Sequence, residues 1–178
     1  GLFVRSLHNV RSMRLGYDVD PVLYVHLNLR GLRLPVDQRA ELSRRLVDAA
    51  RAIPEVESAA RGISVPFWST EGLGFIVPGV DSVRRLGHFT VQMASADYFT
   101  TTGTRILKGR GFTAADRADG SLVAAVSQGM AEAVWPGKEA IGQCIKIDRP
   151  TDPCRIVVGV VENIHQNSLT ETQKLQFY

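Results

Sequence analysis

The sequence contains no hydrophobic run that approaches the length of a membrane span. Residues 156–161, one of its longest apolar stretches, fall far short of the roughly 20 residues that a helix needs to cross a bilayer. Residues 1–15 also lack the apolar core and the small-residue cleavage site of a secretory signal peptide. The 178 residues therefore predict neither a spanning helix nor a cleaved leader among themselves.

The sequence also lacks a strong excess of charge of one sign. There are 21 basic and 18 acidic residues, which give a formal net charge of +3. Most of the bases are arginines, and they are spread over many segments. Because nucleic-acid-binding domains concentrate their positive charge on one face, this distribution argues against a nucleic-acid partner. Hydrophobic residues make up 44% and charged residues 22%, which is typical of a globular domain.

Catalytic motifs are missing as well. Residues 109–111 (Gly-Arg-Gly) have neither the spacing nor the lysine of a phosphate-binding loop. Ser127 stands between a predicted strand and a predicted helix, as in a nucleophile elbow, but the glycines of Gly-x-Ser-x-Gly are absent, so a helix cap is favoured. Asp116 and Asp119 could form a glycosidase pair, and a solvated turn explains them equally well. The sequence thus predicts no catalytic residue.

Histidines are too scattered to indicate a metal site. The sequence has four of them, His8, His26, His88 and His165. None has a second histidine or a carboxylate at the spacing of metal ligands on a helix. We therefore predict no metal and no cofactor.

The sequence has only two cysteines, Cys144 and Cys154, ten positions apart on two predicted strands. A hairpin can bring such positions within disulfide distance. Two cysteines cannot complete a four-thiolate zinc site, which leaves a disulfide or two buried thiols. The disulfide is favoured, and it would place the domain in an oxidising compartment such as the periplasm.

Hydrophobic periodicity predicts helices and strands in alternation. Residues 22–29 alternate apolar and polar side chains, which indicates a half-buried strand. Residues 36–53 show a helical stripe, and Pro54 ends the helix. The predicted core stripe consists of Leu42, Leu46, Ala49 and Ile53. Residues 56–65 are predicted to form a second strand.

Shorter elements are predicted downstream and at the start of the chain. The downstream strands are expected at 75–77, 89–93, 122–126, 141–147 and 154–164, with helical segments at 96–102 and 127–134. Residues 1–15 have helical spacing, with Arg5, His8 and Arg11 opposite the apolar side. This segment is either an ordinary surface helix or the juxtamembrane end of a transmembrane helix, with its bases near lipid headgroups.

A series of motifs resembles the periplasmic core domain of MacB-type, FtsX-like permeases. The motifs are Met93-Ala94-Ser95-Ala96-Asp97-Tyr98-Phe99 with Gly103, Gly109-Arg110-Gly111-Phe112 with Asp116, residues 123–126 with Ala131, Trp135-Pro136-Gly137, Ile141-Gly142, residues 157–164, and Ser168-Leu169. Residues 1–7 resemble the end of the first transmembrane helix and its stalk. The resemblance spans essentially the whole chain and is strongest to acidobacterial permease-like proteins with a duplicated permease unit. Ala140 departs from the proline usual in the family.

The resemblance implies an α+β fold in which a mixed α/β membrane-proximal lobe carries an inserted, mostly β lobe. Residues 1–20 would then be a juxtamembrane helix and connector. Residues 21–68 and 151–178 would form the porter-like base lobe, and residues 69–150 the inserted lobe. We expect the base lobe to be incomplete at its C-terminal end, because in the family a further strand, helix and strand follow the residues that match Phe177 and Tyr178.

The resemblance also implies a role and a location. The chain is expected to be a non-catalytic domain on the periplasmic face of the bacterial inner membrane, transmitting transmembrane motion to an exported substrate or a periplasmic partner. Its expected partners are the transmembrane helices of its own polypeptide, a separate cytoplasmic ATPase subunit and a periplasmic protein, with homodimerisation of the full-length protein. Two alternatives stay open, namely a stand-alone extracytoplasmic ligand- or protein-binding module and a small hydrolase.

Overall fold

A computed structural model describes residues 4, 5, 8, 12–27, 34–118, 120–171 and 175–178. The helices are α1 (Val36–Arg51), α2 (Tyr98–Thr102), α3 (Ala114–Ala118) and α4 (Gln128–Val134). The strands are β1 (Phe75–Ile76), β2 (Phe89–Val91), β3 (Ile106–Gly109), β4 (Val123–Ser127), β5 (Cys144–Ile147), β6 (Arg155–Val161) and β7 (Leu175–Phe177). No helix in these ranges is long and apolar enough to cross a membrane.

The strands described here form one mixed sheet in the order β1-β5-β6-β4-β7-β2, and β3 also pairs with β6. The β4–β6 and β2–β7 pairs are parallel, and the other pairs are antiparallel. The parallel β4–β6 pair runs from Val123↔Ile156 to Ser127↔Val161 and forms the centre of the sheet. An α+β fold with a mixed sheet is therefore confirmed.

Both faces of this sheet bury apolar side chains. Because successive residues of a strand point to opposite faces, β4 contributes Ala124 and Val126 to one core and Ala125 to the other. The larger core lies against α4, which adds Met130 and Val134. The smaller core contains Tyr98 and Phe99 of α2, Ala125, Val161 and Tyr178. The sheet is thus a two-sided scaffold with one short helix on each face.

The boundary expected near residue 150 falls within this sheet. Strands β6 and β7 belong to the segment 151–178, which was assigned to the base lobe. They pair with β2, β3, β4 and β5, which come from the segment 69–150 assigned to the inserted lobe. Backbone hydrogen bonds therefore join the two segments directly.

The predicted disulfide is present. Cys144 and Cys154 are bonded, with their Cα atoms 5.2 Å apart. Cys144 opens β5 opposite Ile156 of β6, so antiparallel pairing of the two strands brings the cysteines together. Both cysteines of the chain are used by this bond.

Reducing this disulfide is expected to lower the free energy of unfolding by about 2–3 kcal/mol, because the bond closes a short loop and restricts the unfolded chain. Thiol titration of unfolded, unreduced protein from periplasmic expression should find no reactive thiol. Urea unfolding with and without reductant measures the stability difference, and a Cys144→Ser/Cys154→Ser variant should match the reduced protein. Two reactive thiols per chain would contradict the prediction.

The strand predicted at 22–29 is not found in its described part. Residues 22–27 form no regular structure. Leu23 and Val25 are 86% and 72% exposed, and Leu27 is 45% exposed. Residues 28 and 29 lie outside the described residues. Alternation makes a segment suitable for a sheet, but a strand forms only where another strand supplies backbone partners, and here none of the described strands does so.

The strand predicted at 56–65 is also wrong. This segment is irregular and is held by side chains instead of by a ladder. The Gln92 Oε1 atom accepts hydrogen bonds from the backbone N–H groups of Ile63 and Ser64, at 2.5 and 3.1 Å. The Gln92 Nε2 group donates to the carbonyl of Ser64 at 2.8 Å. A buried amide thus replaces the backbone partner that a neighbouring strand would supply.

The helix predicted at 36–53 is confirmed as α1, but its predicted core stripe is wrong. Leu46 and Ile53 are 38% and 49% exposed, and neither Leu42 nor Ala49 is buried. The periodic pattern correctly predicts a helix, because the spacing of apolar residues sets which side of a helix is apolar. Burial of that side requires a covering surface, and α1 has none among the described residues.

Candidate functional site

Ser127 is a structural residue at the end of β4. Its side chain is completely buried, and its Oγ atom accepts hydrogen bonds from the backbone N–H groups of Met130 and Gln176, at 3.2 and 3.0 Å. It therefore caps α4, as predicted, and also anchors β7. A nucleophile elbow needs an exposed hydroxyl, which this arrangement does not provide.

Replacing Ser127 with alanine is expected to destabilise the fold by about 2 kcal/mol, because two buried N–H groups lose their acceptor. Thermal and urea unfolding measure this change. We also expect esterase assays of the wild-type chain to stay at background. Esterase turnover that disappears in the Ser127→Ala variant at a temperature where the variant is folded would contradict this assignment and favour the hydrolase alternative.

Asp116 is likewise held in a structural turn. The guanidinium of Arg110 donates to both of its carboxylate oxygens at 2.7 Å, and the backbone N–H of Thr113 donates at 2.7 Å. The hydrogen bonds from Arg110 are the main reason that the pKa of Asp116 lies well below its usual value. Asp119 lies outside the described residues. The motif Gly109-Arg110-Gly111-Phe112 with Asp116 therefore fixes the loop between β3 and α3.

The described residues contain no cluster of three or more histidine, cysteine, aspartate or glutamate side chains suited to a metal ion. His8, His26 and His88 are exposed. His165 is buried, and its Nδ1 atom lies 3.1 Å from the carbonyl oxygen of Ser168. The structure does not bring the histidines together.

A buried carboxylate, Glu162, lies where β6 ends. Its side chain is only 9% exposed, and two arginines from distant parts of the chain bind it. Arg14 donates from Nε and Nη2 to the two carboxylate oxygens at 2.8 and 2.6 Å. This is a bidentate, charge-assisted contact, which is the strong form of an arginine–carboxylate pair.

Arg105, directly before β3, binds the same carboxylate. Its Nε and Nη2 atoms donate to Oε2 at 3.0 and 2.9 Å, and its backbone N–H donates to Oε1 at 2.8 Å. In return, the backbone N–H of Glu162 donates to the carbonyl of Arg105 at 2.9 Å. Arg105 therefore fixes Glu162 through both backbone and side chain, whereas Arg14 reaches it through its side chain.

Backbone contacts attach the rest of the N-terminal connector, residues 12–18, to the same place. The N–H of His165 donates to the carbonyl of Leu15 at 2.9 Å, and the N–H of Asp18 donates to the carbonyl of Thr102 at 2.8 Å. Gly16 has a φ of +87°, and a Cβ there would overlap the backbone of Asn163. The connector thus makes a close turn against the ends of β6 and α2. We call this set of contacts the connector junction.

The charge of Glu162 is stabilised within the connector junction. Burial of the carboxylate acts to raise its pKa. The hydrogen bonds from Arg14 and Arg105 outweigh that effect and lower the pKa from 4.5 to about 2. Glu162 is therefore ionised at neutral pH and carries a full charge to which the connector can bind.

Sequence reasoning did not assign a role to Arg14, Arg105 or Glu162. Arg14 and Glu162 are 148 positions apart, and Arg105 and Glu162 are 57 apart. No local spacing rule relates such positions. The sequence does contain one signal, because Glu162 directly follows the apolar run 156–161. A carboxylate next to a buried strand needs partners for its charge.

Comparisons with known proteins agree on the fold. A solved structure of the periplasmic region of MacB from Actinobacillus actinomycetemcomitans is 17% identical, with a TM-score of 0.54, and the match covers 74% of this chain and 51% of that one. A permease-protein domain from Porphyromonas gingivalis is 17% identical, with a TM-score of 0.50, over 74% of this chain and 50% of that one. The chain spans about half the length of these structures.

The family comparison covers nearly the whole sequence. No curated protein gives a significant sequence match. The profile described as the MacB-like periplasmic core domain matches residues 7–176, which include the connector junction, the sheet and the disulfide. The chain therefore belongs to the family of MacB-like periplasmic core domains.

Proposed function

We propose that this chain is the part of a MacB-like ABC-transporter permease that receives motion from transmembrane helices and carries it into a periplasmic sheet. The observation that supports this role is the connector junction, in which Arg14 of the N-terminal connector binds Glu162 of the sheet. Residues 4, 5 and 8, which precede the connector, have helical backbone, as does residue 12 at its start. A displacement of the chain on this side of the connector would pull first on Arg14 and its neighbours.

The connector junction is suited to reversible attachment. Arg14 is 42% exposed, whereas Glu162 is 9% exposed. If Arg14 leaves, Glu162 keeps its hydrogen bonds to the side chain and backbone of Arg105. The main cost of breaking a buried ion pair is the unpaired charge left behind, and Arg105 removes much of that cost. The connector can therefore detach without disrupting the sheet.

The sheet side of the connector junction is rigid. Glu162 continues directly from β6, a strand that pairs with β4, β3 and β5. The next residue, Asn163, accepts a hydrogen bond through its Oδ1 atom from the backbone N–H of Gly129 in α4 at 2.7 Å. Motion applied at Glu162 would thus reach both the sheet and α4, which is the behaviour expected of a transmitting element.

Distance measurements between spin labels test this proposal in the full-length membrane protein. The disulfide uses both cysteines of this domain, so labels attach to introduced cysteines, for example Met13→Cys in the connector and Lys138→Cys beyond α4. Any other cysteines of the full-length protein are first replaced. We expect one narrow distance distribution, which broadens in Glu162→Gln. We also expect a shift on addition of nucleotide in the presence of the cognate ATPase.

The matched control is Arg45→Gln, which removes an exposed arginine from α1, far in sequence from the connector junction. This variant should leave both the distribution and the nucleotide response unchanged. A distribution that stays narrow in Glu162→Gln would show that the ion pair does not hold the connector. A distribution that never responds to nucleotide would contradict transmission itself.

We also propose that residues 21–68 and 151–178 form a base lobe that other strands of the full-length protein complete. A hydrogen bond supports the grouping, since the N–H of Phe67 donates to the carbonyl of Gln166 at 2.8 Å. Exposed apolar side chains on 22–27 and α1 support the incompleteness. The related periplasmic structures are about twice as long as the matched region.

A longer fragment of the protein that continues to the next membrane segment is expected to melt at a higher temperature than residues 1–178 alone and to self-associate less. The reason is that added strands would cover apolar side chains such as Leu23 and Val25, which are now 86% and 72% exposed. Thermal melting and sizing chromatography compare the two. Equal melting temperatures with both proteins monomeric would contradict the proposal.

A further inference from the structure

The C-terminal end of α2 lies against the connector. The helix ends at Gly103, whose φ of +66° places it in the left-handed region. The N–H groups of Gly103 and Thr104 donate to the carbonyls of Thr100 and Phe99, at 3.3 and 3.0 Å. The carbonyls of Thr102 and Gly103 lie beyond these two bonds, so their donors must come from outside the helix.

The connector supplies both of these donors. The backbone N–H of Asp18 donates to the carbonyl of Thr102 at 2.8 Å, and Arg14 Nη2 donates to the carbonyl of Gly103 at 2.9 Å. The same Nη2 atom donates to the carboxylate of Glu162 at 2.6 Å. Arg14 therefore joins the end of α2 to the end of β6. A cation is favoured at this end of a helix, because the last carbonyls carry a partial negative charge.

Two glycines allow the connector to fit between these ends. A Cβ on Gly103 would overlap the carboxylate of Asp18, which occupies the place that a side chain would take. A Cβ on Gly16 would overlap the backbone of Asn163 and Ile164. Residues 16–18 are thus seated with α2 on one side and the segment after β6 on the other.

The helix α2 links this contact to the smaller core. The ring of Phe99 lies 4.9 Å from the ring of Tyr178 in an edge-on arrangement, and the ring of Tyr98 lies 5.9 Å from it. The backbone of Tyr178 exchanges two hydrogen bonds with Ala125 of β4. A displacement of α2 would therefore reach the centre of the sheet through aromatic side chains, on the face opposite α4.

We infer that the connector holds the C-terminal end of α2 against the end of β6, and that α2 loosens when the connector leaves. This inference rests on the proposed function, in which the connector moves, and it adds a second element to which that motion passes. The sheet receives the motion at Glu162, and the smaller core receives it through α2. A helix of five residues has little stability of its own, so the loss of two donors at its end should be felt.

Spin labels on α2 test this inference in the full-length membrane protein, without nucleotide. Thr100→Cys places one label on an exposed position of α2, and Lys138→Cys places the other beyond α4. We expect one narrow distance distribution, which broadens in Gly16→Ala because the added Cβ unseats the connector. The matched control is Gly79→Ala, since Gly79 has a φ of +84°, close to the +87° of Gly16, and open space around its Cβ position. This control should stay narrow.

Labels at Met13 and Lys138 report on the connector itself and separate this inference from the proposed function. If Gly16→Ala broadens the Met13–Lys138 distribution but leaves the Thr100–Lys138 distribution as narrow as in Gly79→Ala, the connector does not hold α2 and the inference is overturned. It is also overturned if Gly16→Ala broadens neither distribution. A missing response to nucleotide contradicts transmission, whereas these comparisons are made without nucleotide and still decide whether the connector holds α2.

Amide hydrogen exchange in the wild-type 178-residue chain gives a test that needs no variant. The N–H groups of Asp18 and Thr104 report on the connector contact and on the end of α2. We expect their protection factors to agree within about tenfold, because one opening event would expose both groups. A larger difference in either direction would show that the connector and the end of α2 open separately, and this result would overturn the inference even if Gly16→Ala fails to fold.

Discussion

Replacing Gly159 with alanine is expected to prevent stable folding, with a loss of more than about 4 kcal/mol in the free energy of unfolding. Gly159 lies in β6 between β3 and β4. A Cβ at this position would overlap the backbone carbonyl of Arg110. The neighbouring strand cannot move away, because the N–H of Arg110 donates to the carbonyl of Val158 at 2.9 Å. Overlap with backbone is costlier than overlap with a flexible side chain.

Two glycines provide matched controls for this variant. Gly72 has no heavy atom within 4 Å of the place that a Cβ would occupy and no positive φ, so Gly72→Ala should change stability by less than about 0.5 kcal/mol. Gly137 is equally open but has a φ of +72°, so Gly137→Ala isolates the cost of the left-handed backbone, about 1 kcal/mol. Soluble yield and urea unfolding rank the three variants. If Gly159→Ala unfolds at the same urea concentration as Gly72→Ala, the close strand packing is wrong.

The sheet was largely predictable from local patterns. The predicted strands at 89–93, 122–126, 141–147 and 154–164 all contain observed strands, because their apolar runs are buried in the core. The disulfide was also predictable from local sequence, because its cysteines flank one short connection between two strands. Strand β3 was missed because all four of its residues are exposed, which leaves no burial pattern in the sequence.

The wrong predictions have a common physical cause. Residues 22–29 and α1 have the patterns of elements that pack, but a pattern describes only one of the two surfaces that must meet. Residues 22–27 and the apolar side of α1 remain exposed because no described element covers them. Local patterns therefore predict where apolar faces lie. They do not predict whether the same chain supplies the element that packs against such a face.

The connector junction was beyond local patterns altogether. Its charged groups come from the connector, the residue before β3 and the residue after β6, and only the folded sheet brings them together. The resemblance to the permease family included Glu162 in a matching run, but no chemistry followed from that match. The burial of Glu162 in the structure identifies the junction, because a carboxylate that is only 9% exposed requires partners for its charge.

The stability that Glu162 contributes is expected to disappear between about pH 4.5 and pH 2. The folded-state pKa is about 2, below the ordinary value of 4.5. A carboxylate with a lowered pKa stabilises the fold at any pH above its unfolded value, and this contribution is lost as the pH falls through the folded value. Acidification should therefore destabilise the wild-type chain more steeply than Glu162→Gln, whose side chain does not titrate.

The size of the effect follows from the same pKa. The lowering of the Glu162 pKa from 4.5 to about 2 corresponds to roughly 3 kcal/mol, and screening by solvent at the exposed side of Arg14 reduces this to about 2 kcal/mol. The free energy of unfolding of wild type minus that of Glu162→Gln should therefore be about 2 kcal/mol larger at pH 6 than at pH 2. Urea unfolding at a series of pH values measures this difference.

Two further variants separate the connector junction from general acid effects. Glu55→Gln removes one negative charge from an exposed position, so it controls for the loss of a negative charge as such. Arg14→Gln removes one of the two guanidinium partners, so it should lose part of the pH dependence and leave the rest, because Arg105 still binds the carboxylate. If Arg14→Gln keeps the full wild-type pH dependence, Arg105 alone sets the pKa of Glu162. The connector would then be held by its backbone hydrogen bonds alone, and the ion pair could not be the point at which motion enters the sheet.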